Sequence, residues 1–277
     1  METSQSSLRD CPVGVFDSGM GGISVLREIL AQLPGENVIY YGDTAHAPYG
    51  TKPPAEVMAR VREVMDLLMA RQVKAVLIAC NTATSVAAAT LRAELDLPII
   101  GMEPALKPAS ELRHGGRILV MATPLTLRLP KFQALMARYG EGAIPLPCPG
   151  LMELVEEGEL DGPEVEDYLT RLLTPYRHTP LDAVVLGCTH YVFLRAVLRR
   201  MLPAETALLD GNAGTVRQLH RVLEQRDSLR QAHHGGRVEL LTSGDPAVVL
   251  PRMERLLHFA EYAGNGPINP KYNMIIS

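Results

Sequence analysis

Lys74-Ala75-Val76-Leu77-Ile78-Ala79-Cys80-Asn81-Thr82 and Asp182-Ala183-Val184-Val185-Leu186-Gly187-Cys188-Thr189-His190 follow one pattern. Each is an apolar run, then a small residue, a cysteine, two polar residues and a stretch of helical periodicity. An unbroken apolar run of this length fits a strand buried on both faces, as in a parallel sheet covered by helices. A second apolar run, ending at Asp17 in one case and at Thr123 in the other, precedes each cysteine by nearly the same distance. The chain therefore reads as a duplicated α/β unit. Each copy presents one cysteine where a strand gives way to a helix.

Working outward, residues 13–16, 38–41, 75–79, 118–122 and 183–186 read as buried parallel strands. Residues 23–32, 54–71, 85–95 and 193–202 read as helices between them. That alternation predicts an α/β fold with mostly parallel sheets and helices on both faces. Pro98, Pro104 and Pro108 mark one crossing between halves, and Asp210-Gly211-Asn212 marks a second. The expected division is a disordered tail over 1–10, a first domain over 11–102 plus 210–277, and a second over 103–209.

With 277 residues, 47% of them hydrophobic, the chain can bury two cores. Trp is absent, so core volume must come from aliphatic side chains. The 27 basic and 31 acidic residues leave no cationic excess that would point to nucleic acid. No run approaches the ~20 apolar residues of a membrane span, and the polar start does not read as a secretory signal. A soluble, cytoplasmic protein is expected. The four cysteines, Cys11, Cys80, Cys148 and Cys188, form no CxxC pair. They match neither a disulfide framework nor a usual zinc site.

A lone buried cysteine is more often a small hydrophobe than a reactive group. Two at matching strand-to-helix junctions shift the balance towards function. Asn81 or Thr82 is positioned to cap the helix after Cys80, and Thr189 the one after Cys188. A helix N-terminus lowers a thiol pKa and attracts carboxylates. Cys11 and Cys148 lack that setting and read as packing. Asp17-Ser18-Gly19-Met20-Gly21-Gly22 lies at a strand end but lacks the Lys-Ser/Thr ending of a phosphate loop. Asp43-Thr44-Ala45-His46-Ala47-Pro48-Tyr49-Gly50 suits a binding loop, although Pro-Tyr-Gly is also an ordinary turn. His190 fits a thiol partner better than a metal ligand, because no second ligand stands at close spacing. On pattern alone, Glu156 and Glu157 lie on a solvated helix face, and His233 and His234 lie in a solvated loop.

Taken in order, residues 13–26 (VGVFDSGMGGISVL), 40–50 (YYGDTAHAPYG), 79–82 (ACNT), 186–191 (LGCTHY) and 242–246 (TSGDP) resemble the signature segments of glutamate racemases, within the aspartate/glutamate racemase superfamily. The resemblance runs over about residues 13–259. It implies two α/β domains with pseudo-twofold symmetry and an active site between them. It further implies glutamate as substrate, no cofactor or metal, a homodimer, and supply of D-glutamate for peptidoglycan. By the same resemblance Cys80 and Cys188 match the catalytic thiols. Asp17, His190 and Glu156 match the residues that assist them, although Gly150 and Glu153 depart from the pattern around Glu156. Asp17, Ser18, Tyr49, Gly50, Asn81, Thr82, Thr189 and His190 match substrate-binding positions. Thr123 and Thr126 match two more, with Pro124-Leu125 replacing the usual spacer. The tail 264–277 matches nothing in the pattern.

The chemistry this implies is two-base proton transfer: one cysteine removes the Cα proton and the other returns one to the opposite face. The resemblance assigns proton removal from D-glutamate to Cys80 and from L-glutamate to Cys188. Alternatives within the superfamily are an aspartate or hydantoin racemase, or a decarboxylase using one cysteine. A non-catalytic amino-acid-binding protein is the alternative of another class. The paired thiols argue against the last two.

Overall fold

A computed structural model describes residues 8–232, 235–259 and 273–276. The first run of elements is β1 (Val13–Asp17), α1 (Ile23–Gln32), β2 (Val38–Gly42), α2 (Pro54–Ala70), β3 (Ala75–Ile78), α3 (Asn81–Glu94) and β4 (Ile99–Gly101). The second is α4 (Leu106–Glu111), β5 (Arg117–Ala122), α5 (Pro124–Arg128), α6 (Pro130–Tyr139), β6 (Ala143–Pro147), α7 (Leu151–Glu157), α8 (Pro163–Leu173), β7 (Leu181–Leu186), α9 (Arg195–Met201) and β8 (Ala207–Asp210). The chain then adds α10 (Asn212–Gln225), β9 (Arg237–Thr242), α11 (Pro246–Leu257) and β10 (Asn273–Ile276).

Two sheets result, with strand orders β10-β9-β2-β1-β3-β4 and β6-β5-β7-β8. Among the described residues every pairing is parallel. The segment β2-β1-β3-β4 of the first sheet has the same order as β6-β5-β7-β8, element for element. The duplication read from the two cysteine stretches is thus present in the topology. β9 and β10 extend only the first sheet, beyond β2. The two crossings run side by side: a Cβ on Gly211 would stand 2.6 Å from the Glu103 carbonyl oxygen.

The central strands bury both faces because helices cover them. Val13, Val15, all of β3 and residues 183–185 of β7 are fully enclosed. At roughly 25 cal/mol per Å² of apolar surface, such strands anchor each half. Five strands, β4, β6, β8, β9 and β10, are absent from the sequence reading, and four of them show why. β4 has only three residues, β8 is half-buried along its length, and β9 carries charged residues at two positions. β6 carries Pro145 and Pro147, which a sheet tolerates only at an edge, where β6 lies.

Residues 8–10, assigned in advance to an unstructured tail, form a helical turn. Arg9 reaches Asp227 at 2.5 Å, and the Arg9 carbonyl accepts from Lys74 Nζ at 2.6 Å. Residues 1–7, His233, His234 and most of the tail 264–277 lie outside the described residues. Among those described, no helix is long and apolar enough to cross a membrane.

Candidate active site

The carboxyl ends of β1, β3 and β7 converge on one buried cluster. Cys80 follows β3 and is itself the N-cap of α3, its Sγ accepting from the Ala83 N–H at 3.4 Å. The cap therefore lies one or two residues earlier than Asn81 or Thr82, where it was expected. Relieved of capping, the Thr82 hydroxyl bonds the hydroxyls of Thr126 at 2.9 Å and Thr123 at 3.1 Å. Thr123 and Thr126 are 2.9 Å apart, which closes a triangle of hydroxyls between the halves. Asn81 Oδ1 is buried without a hydrogen-bond partner. A buried acceptor left open in this way is a position for a ligand donor.

Asp17 ends β1 and is wholly buried. It accepts from the Ser18 N–H at 2.6 Å and from Thr189 Oγ1, in the other half, at 2.9 Å. Burial pushes the Asp17 carboxyl up to about 6, against the opposing effects of His190, Thr189 and Ser18. Cys80 donates to the Ser18 hydroxyl at 3.4 Å. Burial first, then the nearby Asp17, pushes the Cys80 thiol up to about 12. This corrects the expectation that a helix N-terminus lowers it. One backbone N–H at the cap does not offset desolvation beside an anion.

Cys188 occupies the equivalent place after β7, with a different surrounding. Residues Thr189–Leu194 form a 3₁₀ turn rather than the start of an α-helix, and Thr189 caps nothing because its hydroxyl is given to Asp17. Cys188 Sγ lies 3.5 Å from His190 Nδ1. His190 Nε2 lies 2.6 Å from Glu156 Oε1. Burial opposes the imidazolium, but the bonds to Cys188 and Glu156 outweigh it and raise His190 well above its ordinary value. Glu156, which periodicity alone places in solvent, turns inward from the end of α7, whereas Glu157 is exposed.

The glycine-rich loop explains how the halves meet. The Met20 N–H donates to Glu156 Oε1 at 2.6 Å, and the Gly21 nitrogen lies 3.1 Å from His190 Nε2. A Cβ on Gly21 would lie 2.6 Å from Thr189 Oγ1. These glycines admit the opposite half of the same chain at close range. Opposite them, the loop over residues 43–50 is held by Thr242 to Thr44 at 2.7 Å and by Ser243 accepting from the Ala45 N–H at 3.1 Å. That gives the 242–246 segment a structural role that its sequence did not disclose. The Tyr49 hydroxyl donates to Asp43 at 2.6 Å, and Gly50 packs against Thr123. Cys148 is buried and donates to the Leu146 carbonyl, in keeping with a packing role. Among the described residues no group of His, Cys, Asp and Glu is arranged to hold a metal.

The sequence profile of the Asp/Glu/Hydantoin racemase family matches residues 13–219. The chain belongs to this family. It is an isomerase of the racemase class. The glutamate racemase of Clostridium perfringens is 44% identical over 256 residues, spanning 91% of this chain and 98% of its own. Among solved structures, glutamate racemase isoform RacE1 from Bacillus anthracis superposes with a TM-score of 0.81 at 26% identity, over 97% of this chain and 98% of its own. The Escherichia coli glutamate racemase, solved with L-glutamate and the activator UDP-MurNAc-Ala, gives a TM-score of 0.78 at 32% identity, over 88% and 95%. The α/β architecture with two sheets is the fold these proteins share.

Proposed function

We propose that the chain is a cofactor-independent glutamate racemase in which Cys80 and Cys188 exchange the Cα proton across opposite faces of the substrate. The observation that carries this reading is the placement of two buried thiols at equivalent strand ends, joined through Asp17, Thr189 and His190. A two-base reaction needs one thiol and one thiolate. The surroundings differ in the required sense. Burial beside Asp17 raises the Cys80 thiol, whereas Cys188 has His190 Nδ1 at 3.5 Å, and burial and pairing leave His190 raised well above its ordinary value.

Glutamate adds an ammonium and two carboxylates. Asn81 Oδ1, with no partner, accepts from the ammonium. Ser18, Thr82, Thr189, the Thr123–Thr126 hydroxyls and the wall at Tyr49 and Gly50 surround the carboxylates. The ammonium supplies the positive charge that Cys80 lacks, so Cys80 ionises most readily when substrate is bound. Asp17 and the Glu156–His190 pair tune the thiols. The Cα carbanion is stabilised by fixed dipoles in a dry site. The two sheets are taken as two domains, broadly 11–102 plus 210–277 and 103–209. Supply of D-glutamate for peptidoglycan, a cytoplasmic location and a homodimer belong to the same reading, on the strength of the resemblance.

The test is incubation of purified protein in heavy water with glutamate, aspartate, alanine and glutamine, followed by mass spectrometry and chiral analysis. Glutamate is expected to gain one Cα deuterium and to invert. A site built to bond a polar group discriminates by about 10⁴ or more against analogues lacking it. Comparable kcat/KM for alanine rules out the glutamate assignment, and no deuterium on any substrate points to a binding protein.

A further inference from the structure

Asp43 is a wholly buried carboxylate that the proton-transfer scheme leaves unused. It directly follows β2, and its N–H donates to the Asp17 carbonyl at 2.9 Å. A buried carboxylate persists only when paired and hydrogen-bonded. Tyr49 donates to its Oδ2 at 2.6 Å, and His46 Nδ1 lies 2.8 Å from its Oδ1. Arg60 donates to the two oxygens from Nε and Nη2, each at 3.2 Å. Arg60 brings a permanent positive charge from α2 and is braced there by Glu63. Burial alone would raise Asp43, but Arg60 foremost, then Tyr49, Ser243 and His46, hold its carboxyl below the usual carboxylate value.

The far end of this chain of contacts is the wall of the site. The Tyr49 ring leans on Phe16, the residue before Asp17, with centroids 6.2 Å apart. Gly50 sits so close to Thr123 that a Cβ would lie 2.9 Å from its hydroxyl. Thr123 in turn bonds Thr82, two residues from Cys80.

We propose that Arg60 is a positioning residue for substrate binding: through Asp43 it fixes Tyr49 and Gly50 as the wall against which the substrate side chain rests. Arg60 itself touches no substrate. The inference rests on the glutamate reading above. The side chains of Cys80, Cys188, Asp17, Glu156 and His190 take their hydrogen bonds from Ser18, Ala83, Thr189, Met20 and one another, not from Arg60, Asp43 or Tyr49. Losing Arg60 therefore changes how well the substrate is held, not the proton transfer that follows.

The experiment compares wild type, Arg60→Ala, Arg60→Lys, Tyr49→Phe and the double variant Arg60→Ala/Tyr49→Phe by chiral assay in both directions, with thermal unfolding to check the fold. A lost binding interaction appears in KM. Arg60→Ala should raise KM about tenfold, with kcat changed by less than about threefold, within the ~10²-fold reach of a displaced site wall. Arg60→Lys should fall between wild type and Arg60→Ala, because it keeps the charge and loses the fork. Tyr49→Phe should raise KM, with little added by Arg60→Ala on top of it, since both act through Asp43. If Arg60→Ala does not fold, Arg60→Lys alone and combined with Tyr49→Phe makes the same comparison. Unchanged KM in the folded Arg60 variants, or a fall in kcat without a rise in KM, overturns the proposal. A wild type that leaves glutamate untouched instead sinks the glutamate reading. The comparison is then run on the amino acid that the heavy-water panel identifies.

Discussion

Asp17 is where burial and charge conflict most directly. Its carboxyl is raised from the ordinary 3.8 to about 6. For a carboxylate raised on folding, the native state holds a proton that the unfolded chain has released between those two pH values. Stability therefore falls as pH rises from about 4 to about 6, and the whole penalty is present above 6. Two pKa units correspond to about 3 kcal/mol. Asp17→Asn should accordingly be more stable than wild type at pH 7.5 by up to about 3 kcal/mol, while losing most activity. Below pH 5 the gain should shrink. Urea denaturation at pH 5 and 7.5 checks this, and an Asp17→Asn protein no more stable than wild type at pH 7.5 contradicts it. The FDSG segment marked Asp17 as a candidate site residue at a strand end, and it does end β1. Its burial and its bond to Thr189 were not legible there, because they depend on the second half closing over the first.

At the scale of elements, the two ends of β3 have been given different tasks. Its carboxyl end carries Cys80. Its amino end is preceded by Lys74, fully buried against Glu36 at 2.6 Å. Removing one partner of a buried pair strands the other charge and costs about 3–5 kcal/mol. Lys74→Met should be destabilised by that amount in denaturant melts, with kcat/KM within about twofold of wild type where it is folded. The double variant Lys74→Met/Glu36→Gln should regain part of the loss. A melt unchanged from wild type removes the pair from the stability account. The strands β1, β2, β3, β5 and β7 were legible as apolar runs because both faces of each are covered. The elements around Cys188 were misread for a local reason: the residues after Cys188 tighten into a 3₁₀ turn, so that Thr189 and His190 face Asp17 and Glu156 across the site instead of beginning a helix. The inward turn of Glu156 was not legible from periodicity, since a charged residue on an amphipathic helix ordinarily faces water.

For the whole molecule, the duplication makes the site. Neither half contains it: Asp17, Ser18, Cys80 and Tyr49 come from elements of the first sheet, and Cys188, His190, Glu156 and Thr123 from those of the second. On the proposed reading, proton transfer across two faces follows from this topology, each thiol serving the face it approaches. Cys80→Ser and Cys188→Ser test this most directly, because serine keeps the shape and is a far weaker acid. Each variant should lose most of its racemisation. The remaining thiol should still work its own face, so that in heavy water Cys188→Ser washes deuterium into D-glutamate without inversion and Cys80→Ser does so for L-glutamate. The measurement is loss of the Cα–H signal by proton NMR, paired with chiral analysis. The expected result is inversion near the background rate in both variants, with any Cα–H exchange confined to the enantiomer that the remaining thiol serves. Either single variant racemising glutamate at close to the wild-type rate would contradict it, by showing that one cysteine suffices.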